Sequence, residues 1–371
     1  MIESIVIENL RGLKKCSIEG LTNVNMFIGK NGVGKSTILE AIYLASSTTE
    51  AYDRLRDLGK IDYTVWRRCN RGSWDTHREI LWFNKNIEEE IRIELRFKTQ
   101  NTLRFKIPYW ASSARSALLE VLPEIALKAG ISHPQGSLYL GWDQTYSSRL
   151  WEPRWKTPLR ALSSEEFIKI IYPYEREIMY LKNIVFLDSR IAINNIEKRV
   201  WKELLDKRLD KLVVGLIKEE YEPTVESVGY KPAGSDFVLA IWTPSTAIEV
   251  DGLGDGARMA ILYASILALI KNTGVLIEDP EVHQHPGGLT TLMKFTLKVA
   301  KERNLQLFIS SHSIELVNIV KRLCSELGLD VKVFFVDRDH DAGIANVRIL
   351  ESVDVEILQE IGLDPRLLHI L

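Results

Sequence analysis

Three short stretches hold residues whose types and spacing could do chemistry. Gly29-Lys30-Asn31-Gly32-Val33-Gly34-Lys35-Ser36, followed by Thr37, fits the pattern GxxxxGK[ST]. It lies between an apolar run at 24–28, which reads as a buried strand, and the residues Ile38, Leu39, Ala41, Ile42 and Ala45, which keep the apolar spacing of a helix. In that context the pattern is a P-loop: the glycines let backbone N–H groups curl round a phosphate at a helix N-terminus. The expected roles are a cradle from the amides of 31–35, Lys35 on the β- and γ-phosphates and the Ser36 hydroxyl on Mg²⁺. The second stretch, Gly274-Val275-Leu276-Ile277-Glu278-Asp279-Pro280-Glu281, is an apolar strand ending in acids, which is a Walker B motif. Glu278 is expected to hold the metal and Asp279 to act on the attacking water, with Glu281 as a deputy base. The third is an apolar run at 305–309 that delivers Ser310-Ser311-His312-Ser313 at its carboxyl end.

The stretch IENLRGLKKCSIEGLTNVNMFIGKNGVGKSTILEAI resembles the opening of ABC-type ATPases of the RecF, structural-maintenance-of-chromosomes and OLD group, in which a β-hairpin precedes the P-loop. By that resemblance Arg11, in the hairpin loop, lies near the nucleotide. Leu253-Gly254-Asp255-Gly256-Ala257-Arg258 is similar to the ABC signature motif, Leu-Ser-Gly-Gly-Gln in relatives, with Gly254 at the serine position and Asp255 at the first glycine. The resemblance implies that Gly256 and Arg258 touch the γ-phosphate held by a partner subunit. It also implies that His312 is the H-loop histidine, again a γ-phosphate contact. The acid order departs from the Asp-Glu of most relatives: here it is Glu278-Asp279, with the base one methylene shorter. EDPEVHQHP resembles the Glu-Pro-Glu-x-x-x-His-Pro element of the OLD-like and RecF-like branch. His283 and His285 have no further ligands around them in sequence that would make a transition-metal site. The likeness extends to the C-terminal end, where a helix at 355–361 and GLDPR are similar to single-domain members of the group, and it leaves about 108–190 unmatched.

The elements that must position these residues follow from periodicity. Residues 2–7 and 16–18 read as strands around Asn9-Leu10-Arg11-Gly12. Ile91, Ile93, Leu95 and Phe97 alternate with charged residues, and after 99–102 the alternation resumes as Leu103, Phe105 and Ile107, an antiparallel hairpin with a mostly basic outer face. Residues 108–180 show only broken helical patterns, at 113–129 and 164–171, and a mixed aromatic and basic loop: Arg149, Trp151, Arg154, Trp155, Lys156, Arg160. Trp66, Arg67, Arg68, Arg71 and Trp74 form a second such cluster. Interleaving of this kind serves single-stranded nucleic acid, or else a protein or domain contact of the sort that builds ordinary interfaces and lids. Residues 194–221 read as one long helix, too short for a coiled-coil arm, and a strand pair follows at 237–242 and 246–250. The helix opened at Gly256 is apolar nearly all round and therefore buried. A strand at 331–336 ends in Asp337-Arg338-Asp339, which imitates the DxD of a TOPRIM nuclease; fewer than forty residues follow, and alternation at 344–350 indicates a simple hairpin instead.

With 371 residues, 46% of them apolar and 26% charged, the chain has ordinary globular composition, and its formal charge of −2 excludes a globally basic nucleic-acid binder. The longest apolar run, 259–270, is too short to cross a bilayer. The N-terminus alternates like a strand and lacks the basic start and cleavage site of a signal peptide, so the expected location is cytoplasmic, with no membrane partner. Three cysteines, Cys16, Cys69 and Cys324, suggest neither a disulfide framework nor a zinc site. The expectation is thus an α/β fold: an ABC-type P-loop NTPase head with an antiparallel β-subdomain and a helical insertion. It divides as 1–107, with the P-loop and hairpin, 108–190 as the helical or irregular insertion, and 191–371 with signature, Walker B and H-loop. The expected function is ATP hydrolysis with Mg²⁺, by a homodimer closed round ATP and acting as a switch on DNA or a separately encoded effector. An ATP-regulated nuclease using Asp337 and Asp339, and a non-hydrolysing ATP-dependent sensor or clamp, are the alternatives.

Overall fold

The computed structural model describes residues 1–69, 71–131, 138–145, 147–152, 159–191, 200–234, 236–282, 284–339 and 341–350. Two sheets enclose the helix that follows the P-loop, Lys35–Ser46. The first is antiparallel and eight-stranded, in the order Arg160–Ala161, Ser148–Trp151, Leu138–Trp142, Leu118–Val121, Thr102–Ile107, Ile91–Phe97, Ile2–Leu10, Leu13–Ile18. The second is six-stranded, in the order Val185–Leu187, Gly274–Glu278, Gln306–Ser310, Val24–Ile28, Val331–Arg338, Ala345–Leu350, parallel except for the last strand. Parallel strands covered on both faces carry apolar runs without alternation, and Val24–Ile28 and Gln306–Ser310 are buried at every position. The antiparallel hairpin alternates as its pattern requires, with Ile91, Ile93, Leu95 and Phe97 inward, and pairs in the register Ile91↔Ile107, Leu95↔Leu103. Lying between the sheets, the helix Lys35–Ser46 has no solvated face: of its twelve residues only Ser36 is not buried.

One side chain ties the sheets together. Gln306, on a parallel strand, is wholly buried and accepts from Ile2 N (2.8 Å) and the Tyr180 hydroxyl (2.7 Å) through Oε1. Its Nε2 donates to the carbonyls of Ile2 (2.7 Å) and Thr22 (2.9 Å). The first strand of the antiparallel sheet thereby has its terminal polar groups satisfied by the other sheet.

Several elements differ from the sequence reading. Within 108–190, four strands extend the antiparallel sheet where helical or irregular structure was expected, and helices occupy Pro123–Lys128, Ser164–Ile171 and Glu175–Lys182. Those strands span two to five residues, and Leu138–Trp142 is buried at four successive positions, so period two never shows. Among the described residues of the long helix expected over 194–221 there are two helices, Trp201–Asp206 and Asp210–Glu220, separated by Arg208 at φ 57°; residues 192–199 lie outside the described ones. The pair Asp236–Trp242 and Ala247–Glu249 gains a third strand, Ser227–Ala233, whose Gly229 and Pro232 hid it. Val331–Arg338 and Ala345–Leu350 form the expected simple hairpin; Asp339 accepts from the amides of Asp341 (2.9 Å) and Ala342 (3.0 Å), a turn-closing role. The helix expected at 355–361 and GLDPR lie outside the described residues. Among the described residues no helix is long and apolar enough to cross a membrane.

Candidate nucleotide site

Register brings the three chemical stretches to one edge. Glu278 is level with Ser310, and Ser310 with Phe27, across three adjacent parallel strands. Asp279 N donates to Ser310 O (3.0 Å) and Ser311 N to Phe27 O (3.0 Å), so the turns after each strand stay in step. Ligand sites of open α/β sheets form at such carboxyl ends. In the P-loop, Gly29 (φ 145°) and Gly34 (φ 112°) occupy the left-handed half of the map, and a Cβ at Gly29 would stand 2.2 Å from the carbonyl of Val336. A Cβ at Gly32 would meet nothing within 4 Å, which leaves the mouth of the loop open, and Asn31 beside it is exposed.

Lys35 reaches back under the loop. Its Nζ donates to the carbonyls of Gly29 and Lys30, both at 2.8 Å, and lies 3.3 Å from His312 Nδ1. An ammonium has donors only, so Nδ1 accepts and the imidazole proton sits on Nε2, 4.0 Å from Asp279 Oδ1. Burial pulls Lys35 down to about 8, against the opposing pull of Asp279, Glu281 and Glu278. Asp279 is held at φ 44°, and burial, with Glu281 and Glu278 as like-charged neighbours, raises its carboxyl to about 6. Glu281 accepts from the Ser311 hydroxyl (2.6 Å) and His312 N (3.0 Å), which fixes the histidine loop on the acid loop. Oδ1 of Asp279 and Oε2 of Glu281 are buried without a hydrogen-bond partner. Unsatisfied carboxylate oxygens at this edge fit a divalent cation or its waters; Ser36 is partly exposed, and Thr37 is buried at 6% exposure and faces the fold.

The remaining expected residues stand apart from this cluster. Arg11 donates from Nε to Glu40 and from Nη2 to the carbonyl of Thr64, so its guanidinium is engaged behind the P-loop helix. Gly254 caps the helix Asp255–Leu267; Gly256 O accepts from Gln284 Nε2 (2.9 Å), and Arg258 lies 3.9 Å from Asp255 of its own helix. His285 caps the helix Pro286–Arg303 by accepting from Gly287 N, His283 lies outside the described residues, and no cluster of metal-ligating side chains occurs among the described ones.

Sequence reasoning missed the floor of the site. Arg67 and Trp74, grouped above as a nucleic-acid contact or a protein or domain contact, are buried at 4% and 0% exposure and make contacts inside the molecule. Arg67 donates to Glu40, Glu278 and Asp188, and Arg11 and Arg68 also pair with Glu40. These cations hold the fully buried Glu40 carboxyl down at about 2, against the upward push of burial itself. The signal available was Glu40: the one carboxylate of a buried helix must find buried cations. The other cluster dissolves likewise, with Trp151 fully buried, Arg149 on Asp143 (2.7 Å) and Arg160 on Glu166 (2.7 Å); Arg154, Trp155 and Lys156 lie outside the described residues. On the hairpin's outer face Arg96 pairs with Glu3, Arg104 with Glu94 and Lys106 with Glu90, so the basic stripe is neutralised by acids.

A P-loop, a strand-end acid pair and a histidine loop at the edge of a parallel sheet, flanked by an antiparallel sheet, define an ABC-type P-loop ATPase head. A family model described as an AAA ATPase domain matches residues 1–192, and the chain belongs to that family. It is 20% identical over 365 residues to an ATP/GTP phosphatase of Helicobacter pylori, covering 91% of this chain and 93% of that one. It is 32% identical over 112 residues to a DNA double-strand break repair Rad50 ATPase of Archaeoglobus fulgidus, covering 26% of this chain and 13% of that one. Among solved structures, an Smc head bound to the C-winged helix domain of ScpA shares the fold, at TM-score 0.51 and 14% identity, over 96% of this chain and 99% of that one. The chain is an ATPase of the RecF/SMC type.

Proposed function

We propose that this ATPase works with Mg²⁺ as a slow, dimer-forming switch. The observation that carries the reading is the division of the parts: Lys35, Asp279 and His312 converge at one sheet edge, whereas Gly256 and Arg258 bond to Gln284 and Asp255 instead. A signature helix with Gly254 and Asp255 exposed at its start has its N-terminal dipole available to a second nucleotide. On binding, Lys35 exchanges the carbonyls of Gly29 and Lys30 for β- and γ-phosphate oxygens. Asp279 takes the proton of the attacking water as the bond from γ-phosphorus to the bridging oxygen breaks and ADP leaves; a carboxyl near 6 is suited to that task near neutral pH. Ser36 and Glu278 would hold the Mg²⁺ ion, which would supply neutralisation of the phosphate charge. Glu281 and His312 position the loop, and the short reach of Asp279 together with the altered signature makes turnover slow. The client is a separately encoded effector more readily than DNA, because the hairpin face is charge-neutralised. The test is light scattering of Asp279→Asn with and without MgATP: the expected result is a shift from monomer to dimer, or tightening of an existing dimer, and no change in mass or dissociation constant overturns the switch.

A further inference from the structure

The helix Lys60–Cys69 contributes one side chain that the reading above leaves unused. Arg67, with 3% of its side chain exposed, donates from Nη1 to Glu40 and from Nη2 to Glu278, and Nη2 lies 3.4 Å from Asp188 Oδ2. These acids come from three separate segments: the P-loop helix, the end of Gly274–Glu278 and the residue after Val185–Leu187. Asp188 is itself held by Arg56 (3.0 Å) and the Tyr63 hydroxyl, so the assembly is rigid on its far side. A guanidinium is a planar fork whose two ends fix the separation of the carboxylates they bind. Glu40 is four residues beyond Ser36 on one helix and therefore on the same face. Arg67 thus connects the acid at 278 to the very helix that carries the hydroxyl at 36, and it engages only one of the two oxygens of Glu278.

We infer that Arg67 is a positioning residue that holds the Glu278 carboxylate in register with Ser36, so that the two present their oxygens to a nucleotide-bound divalent cation as a preset pair. The inference rests on the assignment of Ser36 and Glu278 to the metal. A group that only stabilised the fold would not touch the metal requirement; a group that orients a ligand does, and loss of such outer partners typically weakens metal affinity about 10- to 100-fold. The experiment measures the Mg²⁺ concentration for half-maximal binding of a fluorescent ATP analogue, alongside Mn²⁺ binding read by electron paramagnetic resonance. Arg67→Met should raise the Mg²⁺ concentration required and the Mn²⁺ dissociation constant by about 10- to 100-fold and leave the weak Mg²⁺-free binding of the analogue nearly unchanged. Arg67→Lys, which keeps the charge and loses the fork, should fall between, and it decides the matter where Arg67→Met fails to fold. Glu40→Gln, which leaves Arg67 and Glu278 in place and weakens the anchor, should shift the requirement the same way by less. Glu278→Gln separates the two possible failures. If Glu278→Gln raises the Mg²⁺ requirement and folded Arg67 variants do not, the positioning role is overturned; if Glu278→Gln leaves it unchanged as well, the metal assignment is what fails.

Discussion

Lys35 and Asp279 share one electrostatic environment with opposite consequences. The ammonium is buried against two carbonyls and three acids, a setting that costs it hydration and keeps it ready for a more negative partner. Hydrogen bonds to charged groups contribute about 1.5–3 kcal/mol each, and Lys35 in the proposed role would make two to phosphate, so Lys35→Ala should lower ATP affinity about a hundredfold or more. Calorimetry giving an unchanged affinity would remove the P-loop assignment. For Asp279 the carboxyl titrates near 6 rather than at its ordinary 3.8. The folded chain therefore retains a proton that the unfolded chain has released, and this group's contribution to stability is full below about pH 4 and lost as pH rises through 6. Asp279→Asn, neutral at all pH, should accordingly stabilise the nucleotide-free protein at pH 7.5 by about 1–2 kcal/mol after allowance for its partial exposure, and scarcely at all at pH 4. Urea titrations at the two pH values check this; equal effects at both would mean that neither burial nor the neighbouring Glu281 and Glu278 raises the carboxyl.

At the scale of elements, the clamp between the sheets makes the sharpest stability prediction. Gln306→Leu keeps volume and removes the Gln306 partners of Ile2 N, Ile2 O and the Tyr180 hydroxyl, while the Thr22 carbonyl keeps Asn25 Nδ2 (2.9 Å). A buried polar group left unsatisfied costs about 1–3 kcal/mol, so the variant should lose roughly 3 kcal/mol or more in urea, whereas a loss below 1 kcal/mol would show that water replaces the amide. The clamp also marks the boundary of what the sequence could show. The P-loop, the acids after Ile277 and His312 were legible because each is a local word: an apolar strand, a fixed spacing, a helix start. The hairpin at 91–107 was legible because one face is buried and the other solvated, so the period is visible. The strands at 118–121, 138–142 and 148–151 were not, since they are short and buried on successive positions, and the two helices within 194–221 were not, since their apolar stripe runs across the break at Arg208. Arg67 was misread for a different reason: its partners lie 27, 121 and 211 residues away, and nothing in Trp66-Arg67-Arg68 distinguishes a buried guanidinium from an exposed one. Only Glu40, the one carboxylate of a buried helix, pointed to it.

For the whole molecule the decisive question is whether one chain contains a complete site. Gly256 opens a helix that is buried along most of its length yet exposed at its start, and Gln284 and Tyr221 fix that start from behind, with Gln284 Nε2 on Gly256 O and the Tyr221 hydroxyl on Gln284 Oε1 (2.9 Å). A helix N-terminus so held has its partial positive charge directed at solvent in the single chain, and in the proposed dimer it would meet a γ-phosphate brought by a second chain. If turnover requires that meeting, a chain with Lys35→Ala and a chain with Gly256→Trp should each be inactive alone, the first for want of a P-loop and the second because an indole fills the approach to the helix. Mixed, they can assemble one site from the intact P-loop of the second and the intact signature of the first, and ATP hydrolysis should return in part, up to about half the wild-type activity per mixed dimer because one of two sites is whole. Specific activity of the unmutated protein should also fall on dilution, as the dimer dissociates. Constant specific activity over a thousandfold dilution, together with mixed variants that remain inactive, would place every catalytic group in one chain and leave Gly256 and Arg258 as the start of an ordinary core helix.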